Sequence, residues 1–269
     1  MSSTDRPFDL IATDLDGTLL RSDHTVSERT RRALARAAEA GAAHIVVTGR
    51  SAAWTRPTLD AIGYRGLAVC GQGAQVYDSS RHLLLTSITL DREVARVALA
   101  KIEAMVGDVA LAASRDGVDG EVLTGPGYRI VGDALDCVPV AAPEEFWARP
   151  ISRLFIQHPS LGDDELADAA RQATGGLVDV VVSGAGFVEI LPVGLTKAAG
   201  LRLAASRLGL SARRAIAFGD MPNDVPMFRW AGHGVAMADA HPELKAVADE
   251  VTLSNDADGV AVVLERLFG

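Results

Sequence analysis

Cysteine is nearly absent. Of 269 residues only Cys70 and Cys137 carry thiols, both in apolar sequence surroundings, and two thiols make no disulfide framework. The chain must be held by its core, and it reads as cytoplasmic. Basic residues are also short: 26 Lys and Arg face 35 Asp and Glu, for a formal net charge of -9. Nucleic-acid backbones and anionic membranes select clustered cations, so this balance argues against both as partners. No uncharged apolar run approaches the ~20 residues that span a bilayer. The opening residues, Met1 to Pro7, lack the basic and apolar blocks of a signal peptide. Internal repeats and low-complexity tracts are missing, and the six histidines show no metal-ligand spacing. An anionic small substrate stays open, provided that a metal or a few placed cations offset the charge.

What is present is an ordinary globular composition, 48% hydrophobic and 23% charged, long enough for one large domain or a domain carrying an insertion. Phe8 to Thr13 read as a buried strand that runs into Asp14-Leu15-Asp16-Gly17-Thr18. In extended chain, residues two apart share a face, so the spacing places Asp14 and Asp16 side by side, where like charges need a cation or a proton between them. A helix follows from the Ser27 cap to Gly41, then a strand at 44–47, a helix over 51–62 and a strand at 67–70. This alternation predicts a parallel sheet with right-handed crossovers. Residues 75–77 and 83–85 read as a hairpin. Between 86 and 191 the pattern changes to short strands at 154–157, 178–182 and 187–191, with helices at 91–105 and 163–174. From Pro192 the first pattern resumes, with helices over 196–208 and from 224 to 231, strands at 215–218, 234–237 and 251–253, and a closing helix to Phe268. The expected class is α/β: a Rossmann-like, doubly wound parallel-sheet core (1–85 and 192–269) with an inserted α+β cap domain (86–191).

Polar groups fall at the strand ends of the core: Asp14 and Asp16, Thr48, and Asp220 with Asp224. In an open parallel sheet those ends line the ligand crevice. Lys197, at a helix start, is the cation that can join them. Carboxylates supply hard oxygen ligands for magnesium, while Thr and Lys hold phosphate oxygens. Each residue alone has a plainer reading: Thr48 a turn residue, Lys197 a solvated lysine, Asn223 and Asp224 helix caps, and Arg50 either a substrate contact or a surface arginine. Asn255-Asp256-Ala257-Asp258-Gly259 repeats the Asp-x-Asp-Gly pattern but precedes a helical period, so its acids read as caps of the last helix.

Four motifs occur in order: Asp14-Leu15-Asp16-Gly17-Thr18, Thr48 in Val-Val-Thr-Gly-Arg, Lys197, and Gly219-Asp220-Met221-Pro222-Asn223-Asp224. In this the chain resembles the haloacid dehalogenase superfamily, and specifically its Cof-like branch with a large α/β cap between the second and third motifs. The resemblance covers nearly the whole chain. It implies a phosphatase acting on small phosphorylated metabolites, with Asp14 as nucleophile and Asp16 as general acid/base. It further implies phosphate held by Thr48, Gly49, Lys197 and Asn223, and Mg2+ held by Asp14, Asp16 through its carbonyl, Asp220 and Asp224. Two positions depart from the family pattern, Gln72 and Asp239, where Asn is frequent at or near each. A phosphomutase of the same superfamily is the alternative enzyme. A phospho-accepting receiver or a non-catalytic metabolite-binding protein is the alternative outside catalysis. The cap residues that meet the leaving group are open, with Arg115, Arg129, Trp147 and His158 as polar candidates, and so is the oligomeric state.

Overall fold

The computed structural model describes residues 7–130 and 137–269; residues 1–6, which include most of the segment read as lacking a signal, lie outside them. The chain begins with β1 (Leu10–Thr13), α1 (Glu28–Glu39), β2 (Ala43–Val47), α2 (Ala52–Ala61) and β3 (Leu67–Cys70). Local chemistry sets these boundaries. Ser27 Oγ accepts the Thr30 amide at 3.0 Å and Ser51 Oγ the Trp54 amide at 3.4 Å, each satisfying an amide that the helix cannot. The hairpin β4 (Gln75–Asp78) and β5 (Leu83–Ser87) follows.

The inserted part comprises α3 (Arg92–Val106), β6 (Ala110–Arg115), β7 (Val122–Thr124), β8 (Cys137–Pro139), α4 (Glu144–Trp147), β9 (Ile151–Gln157), α5 (Asp163–Thr174), β10 (Asp179–Val182) and β11 (Val188–Leu191). The core then returns with α6 (Lys197–Arg207), β12 (Ala215–Gly219), α7 (Val225–Trp230), β13 (His233–Ala236), α8 (Pro242–Lys245), β14 (Glu250–Val251) and α9 (Gly259–Phe268). The last strand is shorter than its apolar run suggests and starts one residue earlier. Thr252 adds one more bond to Ala236, at 2.9 Å, before the chain leaves the sheet.

The first sheet has the order β14-β13-β12-β1-β2-β3-β4-β5. It is parallel from β14 to β3, and the hairpin adds two antiparallel strands at one edge. Counted along the core, the parallel strands run in the doubly wound order 3-2-1-4-5-6. That order reverses between β1 and β12, the switch point where such sheets bind ligands. Every residue of β1 and β12 is buried, as helices on both faces require. Those helices pack in pairs, α1 with α9 and α6 with α7.

The second sheet, β10-β11-β9-β6-β7-β8, is antiparallel except for β7 against β8. Ala95, Ala98 and Ile102 of α3 and Leu166, Ala167 and Ala170 of α5 bury against Leu154, Ile156, Val188 and Ile190 in a separate apolar core. Strands β6 to β8 escape prediction from pattern because Ala110-Leu111-Ala112-Ala113 has no polar alternation. Cap meets core at a few polar joints. Arg153 Nη1 donates to the Gly49 carbonyl at 2.5 Å, and Gln72 Nε2 donates to Glu189 Oε1 at 3.0 Å.

Candidate active site at the sheet switch point

Asp14 leaves the end of β1 buried, its amide bonded to the Phe218 carbonyl of β12 at 2.9 Å. The next five residues form a single wide turn that only a glycine permits. Gly17 has φ +71°, and a Cβ on it would press into the Asp220 carboxylate. Thr18 Oγ1, from the same turn, donates to Asp220 Oδ1 at 2.9 Å. The turn therefore positions Asp220 as well as Asp14 and Asp16.

Lys197 is the first residue of α6, a position where the helix dipole disfavours a cation. Its ammonium lies 2.9 Å from Asp14 Oδ1 and 2.7 Å from Asp224 Oδ1, with 1% of the side chain exposed. The helix gets this close because of Gly200, where a Cβ would stand 2.7 Å from Gly73 Cα and 2.5 Å from Val69 Cγ1. Asp224 is buried behind the cluster: Oδ1 takes Lys197, and Oδ2 accepts the amides of Asp220 and Met221 at 3.0 and 3.1 Å.

Oxygens of Asp14, Asp220 and Asp224 lie within 4.8 Å of one another. Burial, with Asp224, Asp220 and Asp16 adding repulsion, raises the Asp14 carboxyl well above its ordinary range against the pull of Lys197. Burial and Asp224 push Asp220 up to about 6. Burial works against the Lys197 charge, but Asp14 and Asp224 outweigh it and hold the ammonium protonated. One buried cation among three carboxylates leaves negative charge uncompensated, and hard oxygens at this spacing suit a divalent cation.

The expectation that Asp14 and Asp16 share a strand face does not hold, because the strand ends at Thr13 and Asp16 sits in the turn. Its carboxylate turns to Arg50, which grips it with two bonds, Nε to Oδ2 at 2.7 Å and Nη2 to Oδ1. Nor is Arg50 a surface arginine. It is 9% exposed, bonds Thr58 at 3.1 Å and lies 4.9 Å over the Trp54 ring. Thr48 Oγ1 accepts the Arg50 amide at 3.1 Å and so shapes the loop after β2. Asn223 Nδ2 donates to Gln72 Oε1 at 3.2 Å. A cavity of about 430 Å³ brings these groups together: Asp14, Asp16 and Thr48, then Gly49, Lys197, Asp220 and Asn223.

A model of the haloacid dehalogenase-like hydrolase family matches residues 11–264. The chain belongs to that family. A 5-amino-6-(5-phospho-D-ribitylamino)uracil phosphatase of Bacillus subtilis is 30% identical to this hydrolase over 98% of both chains. A chloroplastic endoribonuclease of Arabidopsis thaliana is 31% identical over 96% of this chain, which spans only 46% of that protein. A solved haloacid dehalogenase-like hydrolase from B. subtilis superposes with a TM-score of 0.82 at 24% identity, covering 96% of this chain and 99% of the other, and shares the fold.

The cap wall of the hydrolase's cavity is where reading by pattern fails. None of Arg115, Arg129, Trp147 and His158 lines it. Arg115 pairs with Glu121, Trp147 lies under Arg96, and His158 bonds the Val106 carbonyl. The wall is built instead by Arg153, Phe155, Ser183, Phe187 and Glu189. A buried Arg153–Glu189 pair at 2.6 Å is the one signal available, and it follows only from the pairing of β9 with β11. The acids of the repeated Asp-x-Asp-Gly also differ from expectation. Asp258 stands at the helix-cap position without capping and pairs with Arg21 at 2.7 Å. Asp256 accepts Ser22 Oγ at 2.7 Å. Both tie the start of α9 to the segment that follows the first motif.

Proposed function

We propose that this hydrolase is a magnesium-dependent phosphatase of small phosphorylated metabolites that works through an aspartyl-phosphate on Asp14. The observation that carries the reading is Asp14 itself: a buried carboxylate at the switch point, 2.9 Å from a buried ammonium and beside Asp220. In the first step an Asp14 oxygen bonds phosphorus as the ester bond breaks, and Asp16, released from Arg50 in its protonated form, gives that proton to the departing oxygen. In the second, water attacks phosphorus, Asp16 takes its proton, and Asp14 is freed. Lys197, Thr48, the Gly49 amide and Asn223 hold the phosphoryl oxygens. Arg50 orients Asp16 at the cavity wall. Asp14, Asp220 and the Asp16 carbonyl would hold magnesium, with Asp224 completing the cluster from behind. The ion supplies positive charge that screens the phosphoryl group from the carboxylates. Residues 1–85 and 192–269 form the catalytic core of this reading, and 86–191 form the cap that covers the leaving group.

Hydrolysis of p-nitrophenyl phosphate tests it. Wild type turns over with magnesium and stops in EDTA, and Asp14→Asn is inactive while folded by circular dichroism. Full turnover in metal-free buffer, or in Asp14→Asn, overturns the assignment.

A further inference from the structure

Gln72 follows β3 at φ +58°, in the left-handed region that is uncommon for a residue with a Cβ. Such a conformation persists where the surroundings impose it, and it clusters at functional sites. Three elements of the phosphate side close on Gln72. Its backbone amide donates to the Thr48 carbonyl at 3.3 Å, a Cβ on Gly49 would stand 2.7 Å from its Nε2, and its turn packs against α6, the helix that Lys197 starts. The side chain is 2% exposed and lies outside the lining of the cavity that holds Asp14, but it joins two residues that do line it. Oε1 accepts Asn223 Nδ2 at 3.2 Å, and Nε2 donates to Glu189 Oε1 at 3.0 Å. Glu189 belongs to the cap strand β11, and its other oxygen takes Arg153.

The sense of the two amides along this path is not free. A carboxylate only accepts, so Glu189 requires the NH2 end of Gln72, and the oxygen end of Gln72 then requires the NH2 end of Asn223. Asn223 has no other bond to choose its sense: its Oδ1 is buried without a hydrogen-bond partner among the described residues. We propose that Gln72 is a positioning residue that carries the polarity of Glu189 in the cap to Asn223 in the core, so that the second N–H of Asn223 Nδ2 is held for a phosphoryl oxygen. The inference rests on the phosphatase reading for the phosphate and on the hydrogen bonds alone for the relay. Turned over, the Asn223 amide would set an oxygen against both Gln72 Oε1 and the phosphoryl group. A hydrogen bond to a charged group, once lost, weakens binding roughly tenfold or more.

Calorimetric titration with inorganic phosphate in the presence of magnesium tests the relay, alongside kcat/KM for p-nitrophenyl phosphate. Gln72→Met keeps the length and neutrality of the side chain and removes both bonds, so it should bind phosphate roughly tenfold more weakly than wild type. Gln72→Asn suits the left-handed backbone but is one methylene too short to reach both partners, so it should lose affinity likewise and carries the test if Gln72→Met does not fold. Adding Gln72→Met to Asn223→Ala should cost little beyond Asn223→Ala alone, because the relay then has nothing to orient. Glu189→Gln alters the charge of the cavity wall in any background, so its effect is read twice: it should be less favourable to phosphate by roughly threefold or more in the wild-type background than in Gln72→Met. Wild-type affinity in Gln72→Met or Gln72→Asn, strictly additive losses with Asn223→Ala, or an equal effect of Glu189→Gln in both backgrounds overturns the relay, and the phosphatase reading then stands on wild-type turnover. If phosphate binds with the expected losses but no ester is hydrolysed, the relay stands and the phosphatase reading falls. If wild type binds no phosphate, both fall.

Discussion

Replacing Lys197 by Met keeps most of the stem and removes the charge. The ammonium is 2.9 Å from Asp14 and 2.7 Å from Asp224, with 1% of the side chain exposed. Without it, carboxylates whose oxygens lie within 4.8 Å of one another have no counter-charge. Two unit charges at that separation repel by about 3.5 kcal/mol at an effective dielectric constant near 20. Removing one partner of a buried pair commonly costs ~3–5 kcal/mol, which agrees. In EDTA near neutral pH, Lys197→Met should therefore melt roughly 6–20 °C below wild type. Magnesium should return part of that loss, because it supplies charge at the same carboxylates. Acidification should also narrow the gap. Asp220 is raised to about 6, so its contribution to stability is full below the ordinary carboxyl range and is lost as pH rises through about 6. Adding Asp224→Asn removes one of the stranded charges, and the double variant should lose less than the sum of the single losses. Scanning calorimetry reads all four arms. A single variant that melts with wild type in EDTA, or strictly additive losses, would refute the electrostatic account of the cluster.

Three further outcomes follow from the geometry. Asp16→Ala should release a burst of p-nitrophenol at nearly the wild-type rate and then stall with phosphate on Asp14, while alkyl phosphates lose roughly 10² to 10⁴ in the first step; an equal loss on both esters would make Asp16 a structural residue. Gly200→Val should push α6 off the 71–73 turn, costing about 1–3 kcal/mol of stability and lowering kcat more than it raises KM, because Lys197 moves with the helix; unchanged kcat in a stable variant would show that the close approach does not place Lys197. Burial lowers His44 to about 4, so the neutral ring contributes stability above its ordinary 6.5 that is lost as pH falls toward 4. His44→Gln should be less acid-sensitive by about 1–2 kcal/mol, the partly buried ring being screened in part, and identical pH dependence of melting in the two proteins would contradict this.

The core was legible because its signals are local. Continuous apolar runs mark the parallel strands, Ser27 and Ser51 mark helix starts, and polar residues at the strand ends mark the crevice. The four motifs lie within such elements, so their residues were named without tertiary information. The sequence by itself determined the strand and helix alternation, the switch-point acids and the buried lysine's identity. Tertiary structure decided what each group faces. Arg50 meets Asp16 across 34 residues, Gln72 meets Glu189 across 117, and Arg153 meets the Gly49 carbonyl across 104. No period or cap encodes those pairs; they depend on how the cap strands register and how the cap sits on the core. The same reason leaves the cap residues open in the sequence: Arg115 and His158 look chemically apt in one dimension, but the face of the cap sheet that covers Asp14 is set by strand pairing, and that face carries Arg153, Phe155 and Glu189.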